Sequence, residues 1–458
     1  MALTGGLRPI HHVAIIGAGF SGALQAINLL RHEGPSATLI ERRDHLARGV
    51  AYSAAHPDHL LNVRAANMSA LPDDPDHFAR WLADRHPELA EGFAPRIIYG
   101  DYLGELLAAA ARSAPDRLAI QPGEAVDVAF DAAGASVHLA DGSRIAAETV
   151  ILAPGNLPPH EPAGLAEAAL DSDLYAADPW AGDIARGLRD EDVVLVIGSG
   201  LTMVDVALLL EARGFRGRII AMSRRGLQPH AHAAAPHPGP RLSDRPPLSA
   251  TALLRLVRER ADKIGWRAAV DELRPFTQDI WLAAPPEERG RFLRHLRPYW
   301  DIHRHRLAPA VAARLAALQA RGQLTVTAGK LSAFAAAGKG VRVQWRPRGR
   351  DAIETMIVRR VINCSGPQGD LLRTDEPLLR ALMARGLIVP DPLRLGIHVN
   401  QQAETIGAGG KPNPRLLALG PMTRGTFWEI VAVPDIRVQT WSVARRLSNA
   451  HWVGGEGL

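Results

Sequence analysis

Twice in this chain an apolar run stops at a glycine, and a second glycine follows two residues later. The first instance is Val13-Ala-Ile-Ile-Gly17-Ala18-Gly19-Phe20-Ser21-Gly22, and the second is Val193-Val-Leu-Val-Ile-Gly198-Ser199-Gly200-Leu201-Thr202-Met203. Few patterns restrict a fold more tightly. The first glycine lets a strand turn sharply into a helix. The second lets backbone come close to a pyrophosphate, and a small third residue lets the helix lie close on the strand. The helix N-terminus then offers free N–H groups and the positive end of its dipole to phosphate. After the first loop, Leu24, Ile27, Leu29 and Leu30 continue with helical spacing and Ala37–Ile40 reads as the next strand, a β-α-β unit. Glu41 comes 24 residues after Gly17, where a carboxylate accepts hydrogen bonds from ribose hydroxyls. Gly17, Gly19, Phe20, Ser21, Gly22, Glu41 and the adjoining Arg42 are therefore the first set of candidate cofactor residues.

The second loop departs from the first at its third position, where Met203 replaces glycine and predicts a wider helix–strand spacing. The strand Ile219–Met222 leads into Ser223-Arg224-Arg225-Gly226, and Arg224 stands 26 residues past Gly198. An acid in this region suits a free ribose 2′-hydroxyl. An arginine suits a 2′-phosphate, which it grips through two parallel charge-assisted bonds. The pattern predicts NADPH rather than NADH, on Gly198, Ser199, Gly200, Leu201, Thr202, Ser223, Arg224 and Arg225. A solvated pair of surface arginines is the competing reading.

Two such units predict an α/β fold with two Rossmann-like dinucleotide-binding domains. The 458 residues allow two or three domains at about 150 residues each. Residues 1–157 and 358–458 are expected to form the first, discontinuous domain and 190–357 the second. Residues 158–189 read as a linker, and about 240–320 as a helical insertion in the second domain. Asp141-Gly142 predicts a tight hairpin turn, and Pro434–Leu447 a final helix.

Composition removes several function classes. The excess charge is +5, spread over 53 Lys+Arg and 48 Asp+Glu with no basic stripe interleaved with aromatics, so nucleic-acid binding is not expected. No apolar run approaches the roughly 20 residues that cross a bilayer, and the N-terminus lacks a secretory pattern. Cys364 is the single cysteine, which excludes an internal disulfide or a redox cysteine pair and fits a cytoplasmic protein. His230, His232 and His237 lie in a Pro-rich stretch, and His303 and His305 flank Arg304. No carboxylate or cysteine completes a zinc-like set, so no metal is expected. Arg304 and Arg306 read either as phosphate or substrate contacts or as ordinary helix-surface residues.

With both loops in place, the chain resembles the two-dinucleotide-binding-domain flavoproteins, a group that includes flavin-containing monooxygenases and amine N-hydroxylases. Thr149-Val-Ile-Leu-Ala-Pro-Gly155 and Val361-Ile-Asn-Cys364-Ser365-Gly366-Pro367 resemble that group's strand-to-small-residue connectors. Leu417-Ala-Leu-Gly420-Pro421 resembles the strand and glycine that approach the flavin. Within the group it is most similar to the bacterial FAD-NAD(P)-binding family, which includes FAD-dependent urate hydroxylase and L-aspartate N-monooxygenase. The residues that carry this are Gly49-Val-Ala-Tyr52-Ser53, Leu60-Leu-Asn62-Val-Arg64, Asp178-Pro-Trp180, Trp300–Arg306 and Thr423-Arg424-Gly-Thr426-Phe-Trp428-Glu429. Two features depart from relatives: no F-x-G-x-x-x-H fingerprint stands between the loops, and Gly420-Pro421 replaces the usual Gly-Asp.

The resemblance implies FAD on the first loop, with Tyr52, Asn62, Gly155, Gly366, Gly420 and Thr426 as further cofactor contacts. It implies Arg64, Arg424 and Trp428 on the catalytic, substrate side. Thr426 and Glu429 are also spaced as a capping box, predicting a helix whose N-terminus faces the flavin. The implied reaction is an NADPH-driven hydroxylation of a small nitrogen-containing substrate by oxygen through a flavin C4a-hydroperoxide. Two alternatives stand beside it: an NADPH-dependent flavin reductase or oxidase serving a quinone, small acceptor or oxygen, and a non-catalytic flavin-binding scaffold or sensor.

Overall fold

The structure, a computed structural model, describes residues 10–53, 56–89, 92–233 and 242–448. His237 lies outside these residues. The chain divides into two compact units, one of residues 1–54, 64–157 and 369–458, the other of 55–63 and 158–368. Strands and helices are numbered along the chain.

The first unit is built on a six-stranded sheet in the order β15-β16-β7-β1-β2-β3. These strands are β1 (His12–Ile16), β2 (Ser36–Glu41), β3 (Leu118–Pro122), β7 (Thr149–Leu152), β15 (Glu404–Ile406) and β16 (Pro412–Ala418). All neighbours are parallel except the β15–β16 pair. β1 is apolar from Val13 to Ile16 and β7 from Val150 to Leu152 because layers cover both faces, as parallel sheets require. Helix α1 (Phe20–Arg31) buries ten of its twelve residues. Around it stand α2 (Gly49–Ser53), α3 (His77–Arg85), α4 (Arg96–Ser113) and α13 (Val433–Leu447). A small antiparallel sheet of β4 (Ala125–Phe130), β5 (Ala135–Leu139) and β6 (Arg144–Ala147) turns at Asp141-Gly142 as expected. With α12 (Pro377–Ala384) it shares a core of Val128, Val137, Leu139, Leu379 and Leu382.

The second unit repeats the plan. Its seven-stranded sheet runs β13-β12-β11-β10-β9-β14-β8. The strands are β8 (Tyr175–Ala176), β9 (Val193–Ile197), β10 (Arg218–Ser223), β11 (Leu324–Ala337), β12 (Gly340–Pro347), β13 (Glu354–Val358) and β14 (Arg360–Asn363). Helix α5 (Leu201–Ala212) links β9 to β10. The insertion is α6 (Ala250–Ile264), α7 (Trp266–Asp271), α8 (Thr277–Ala283), α9 (Pro286–His295) and α10 (Arg297–Arg304), and α11 (Pro309–Ala320) returns the chain to the sheet. No helix among the described residues is long and apolar enough to cross a membrane.

Three expectations on organisation differ from this arrangement. β14 pairs in parallel with β9, which puts residues 358–368 in the second unit rather than the first. The stretch read as a linker is part of the same unit, because β8 adds to the sheet beside β14 and Arg360 donates to the carbonyl oxygens of Asp173, Ile184 and Arg186. The third is the short segment 55–63, which leaves the first unit and docks on the second. There His59 is buried, with Nε2 3.0 Å from the Asp205 carbonyl oxygen of α5, and Asp58 pairs with Arg314 at 2.9 Å.

Candidate functional site

In each unit the first strand of the β-α-β sits between its β-α-β partner and a third parallel strand. β1 lies between β2 and β7, and β9 between β10 and β14. Strand order reverses there, and such a switch point opens a crevice at the carboxyl ends of the strands. The glycine loops stand at those ends.

The two loops share one geometry. Gly17 N–H donates to the Ile40 carbonyl at 2.8 Å, and Gly198 N–H to the Met222 carbonyl at 2.8 Å. Both glycines have positive φ, +100° and +116°. A Cβ on Gly17 would stand 2.3 Å from the Ala153 oxygen, and one on Gly198 2.2 Å from the Cys364 oxygen. Ala153 and Cys364 each follow directly on the third strand of their own unit. Gly155 and Gly366 come two residues later, both with positive φ and open space around the missing side chain. Burial pushes the Cys364 thiol well above its usual range, so the cysteine is a small packing residue and not a nucleophile.

Helices α1 and α5 both begin at a glycine N-cap, Gly19 and Gly200. Neither has a side-chain cap or an acid in its first turn, so their leading N–H groups are left for an anion. A Cβ on Gly22 would meet the Gly17 oxygen at 1.8 Å, which is why α1 lies so close to β1. Met203 takes that place in α5, and the first-turn bond lengthens from 2.9 Å (Ala23 N to Gly19 O) to 3.3 Å (Val204 N to Gly200 O).

The ends of the second strands distinguish the two sites. Glu41 turns its carboxylate back on the first loop, accepting from Ala18 N at 2.8 Å and from Arg43 N at 3.0 Å. The register places Ser223, not Arg224, at the corresponding point, since Ile40 pairs with Ile16 and Met222 with Ile197. Ser223 Oγ is 2.7 Å from Ser199 Oγ and accepts from Gly226 N at 3.0 Å. Arg224, one residue on, is exposed and has no hydrogen bond or ion pair among the described residues. Arg225 lies with its guanidinium 5.2 Å from the Tyr299 ring centre. A neutral serine in place of the glutamate, followed by an exposed guanidinium, puts positive charge at this strand end where the first unit has a carboxylate.

The remaining candidates in the first unit lie in its connecting segments. Gly420 (φ +75°) follows β16. A Cβ there would stand 2.4 Å from Ser21 Oγ, and its N–H donates to Gln439 Oε1 at 2.8 Å. Tyr52 packs edge-on against Tyr99 at 4.9 Å and against Phe20 at 6.1 Å; burial pushes its phenol up to about 12, so it carries its proton at neutral pH. Arg64 lies over Phe93 at 5.0 Å, and Arg424 over the buried Trp428 at 4.2 Å. The Arg42 guanidinium is held by Glu376 at 2.8 Å and Glu124 at 3.0 Å.

Other expectations are corrected. No helix begins at Thr426: the segment 424–432 is a series of turns, Thr426 donates to the Val399 carbonyl at 2.7 Å, and the helix starts at Val433 after an Ala432 N-cap. Glu429 is buried. Asn62 lies in the segment that belongs to the second unit, its carbonyl 3.0 Å from His232 Nε2. Arg306 is a structural residue, 4% exposed, clamped by both carboxylate oxygens of Asp271 at 2.9 Å and donating to the Arg267 and His303 carbonyls.

Comparison with known proteins agrees with this geometry. Residues 14–157 match the family model described as FAD-NAD(P)-binding. No curated protein matches the chain. Among solved structures, ornithine hydroxylase from Pseudomonas aeruginosa is 13% identical with a TM-score of 0.67, covering 96% of this chain and 99% of that one. L-lysine 6-monooxygenase from Pseudomonas syringae is 17% identical with a TM-score of 0.66, covering 96% and 99%. The ornithine N-hydroxylase of Kutzneria sp. 744, a structure with reduced FAD, NADP+ and L-ornithine, is 14% identical with a TM-score of 0.64, covering 96% and 100%. At such identities the likeness establishes a shared fold over nearly the whole chain.

Proposed function

We propose that this chain, a two-dinucleotide-binding-domain flavoprotein by its fold, is an FAD-dependent monooxygenase. It takes electrons from NADPH and hydroxylates a small nitrogen-containing substrate, an amine or amino acid before a urate-like heterocycle. The observation that carries the reading is the pairing of two equivalent phosphate loops with opposite chemistry at the ends of their second strands. Glu41 offers a carboxylate to ribose hydroxyls, and Ser223-Arg224 offers space and positive charge to a 2′-phosphate. The neighbours of known structure that act on ornithine and lysine share this two-loop fold.

The residues fit both cofactors. Gly17, Gly19 and Gly22 leave the backbone bare where α1 begins, and Gly198 and Gly200 do the same for α5. Bound and reduced, the flavin supplies oxygen activation. The chain must bind and orient the substrate and keep water away. Arg424 is preoriented on Trp428, and Arg64 on Phe93. Either guanidinium suits the carboxylate of an amino acid through a bidentate contact. The reading sets the enzyme in the cytoplasm, where NADPH is maintained, with oxygen and a small-molecule substrate as its partners.

The test is direct. The purified protein should carry FAD, be reduced under nitrogen much faster by NADPH than by NADH, and, on admission of oxygen with ornithine, lysine, aspartate or urate, yield hydroxylated product in proportion to NADPH used. NADPH consumption that gives hydrogen peroxide with every substrate would establish an oxidase instead. A flavin that NADPH does not reduce would leave a binding protein.

A further inference from the structure

The helical insertion reaches the end of the second loop that selects the cofactor. Arg225 is anchored to it twice. Its Nη2 donates to the Arg294 carbonyl at the C-terminal end of α9 at 3.3 Å, and its guanidinium lies over the Tyr299 ring of α10. A helix C-terminus carries partial negative charge and a ring face is electron-rich, so both contacts favour a cation at this point. Tyr299 is 41% exposed, unusual for so large a ring, and Arg225 lies over it. Arg224 has no such anchor. The two adjacent arginines therefore differ: one is free to close on a ligand, the other is fixed before any ligand arrives.

Resting on the NADPH reading above, we propose that Tyr299 is a positioning residue for 2′-phosphate recognition. It holds Arg225 in a fixed orientation, with the N–H groups not bonded to Arg294 turned to the phosphate that Arg224 also grips. A flexible arginine loses side-chain freedom on binding, and a preoriented one has already lost it. The insertion then contributes to cofactor choice through Tyr299, in addition to the β-α-β unit itself.

The experiment measures binding of adenosine 2′,5′-bisphosphate and of 5′-AMP by calorimetry to the flavin-loaded protein and to three variants. Flavin content and thermal midpoint serve as folding checks. Arg224→Ala should weaken the bisphosphate about tenfold or more and leave 5′-AMP unchanged, since a charge-assisted contact to the 2′-phosphate is lost. Tyr299→Ala should weaken the bisphosphate roughly threefold to tenfold, with 5′-AMP again unchanged. Tyr299→Phe should restore wild-type binding, because the ring face and not the hydroxyl acts. If Tyr299→Ala weakens both ligands equally, the ring is an adenine platform and the positioning role is overturned. If it changes neither while Arg224→Ala does, the role is overturned and the NADPH reading stands. If Arg224→Ala also leaves the bisphosphate unchanged, the NADPH reading itself fails.

Discussion

The glycines of the two loops have different duties, which substitution should separate. A methyl group on Gly198 would stand 2.2 Å from the backbone oxygen of Cys364, at a φ of +116° that alanine rarely adopts. Gly17 faces the same obstacle at the Ala153 oxygen. Gly198→Ala is expected to lower stability by several kcal/mol, combining backbone strain with a clash that no rotamer relieves. Gly200 is the contrast: it is exposed, its φ is −88°, and a Cβ there meets nothing within 4 Å. Gly200→Ala should fold with full flavin content and an unchanged urea midpoint, yet bind NADPH at least tenfold more weakly, since the new methyl stands where the pyrophosphate approaches. Calorimetric titration with NADP+ checks it; unaltered affinity would remove the loop from the cofactor site. Cys364→Ala should leave NADPH oxidation unchanged, and native protein should resist thiol reagents that label the unfolded chain.

At the scale of elements, the insertion is held by a knot of rings and guanidinium groups. His230 lies 4.9 Å from Trp266 and 4.7 Å from His303, ring centre to ring centre, and Arg267 and Arg306 both lie over Trp266. The chain at His230 also exchanges backbone bonds with Ile302 and Leu307. Arg306→Leu should cost about 2 kcal/mol in urea unfolding, the scale of charge-assisted hydrogen bonds, without changing NADPH affinity. An equal loss in binding would return Arg306 to the cofactor. Burial, with His303, Arg267 and Arg306 close by, lowers the pKa of His230 below 6.5. The unfolded chain therefore takes up a proton that the folded chain resists. The stability from neutral His230 is present above pH 6.5 and declines as pH falls below it. His230→Asn should reduce the difference in urea midpoint between about pH 7.5 and about pH 5.5; an unchanged difference would show that other groups carry it.

Over the whole molecule, the parts legible in the sequence were those where backbone need dictates residue type. A strand turning tightly under a phosphate must write glycine, so Gly17–Gly22 and Gly198–Gly200 announced themselves, as did the Asp141-Gly142 hairpin. Long-range docking leaves no such local mark. The segment 55–63 belongs to the second unit through His59 and Asp58, whose partners Asp205 and Arg314 are far along the chain. Ser223 could be picked out beside the arginines, but its equivalence to Glu41 leaves no local mark, because it exists only in the strand register. The capping-box spacing at Thr426 misled for a related reason: burial of Trp428 and Glu429 and the bond from Thr426 to Val399 outweigh a local preference worth about 1 kcal/mol.

The docked segment has a practical consequence for anyone cutting the gene. The chain passes between units after residues 54, 63, 157 and 368, so no single cut separates one unit from the other. Residues 158–368 look like a contiguous, self-sufficient piece on a linear map, but they lack His59 and Asp58. Expressed alone they would leave a hole over α5 and Arg314 without its Asp58 partner. Such a piece is expected to be poorly soluble, and a synthetic peptide of residues 55–63 added in trans should raise its thermal midpoint. A piece that is monodisperse and indifferent to the peptide would mean that the segment is only a passing loop.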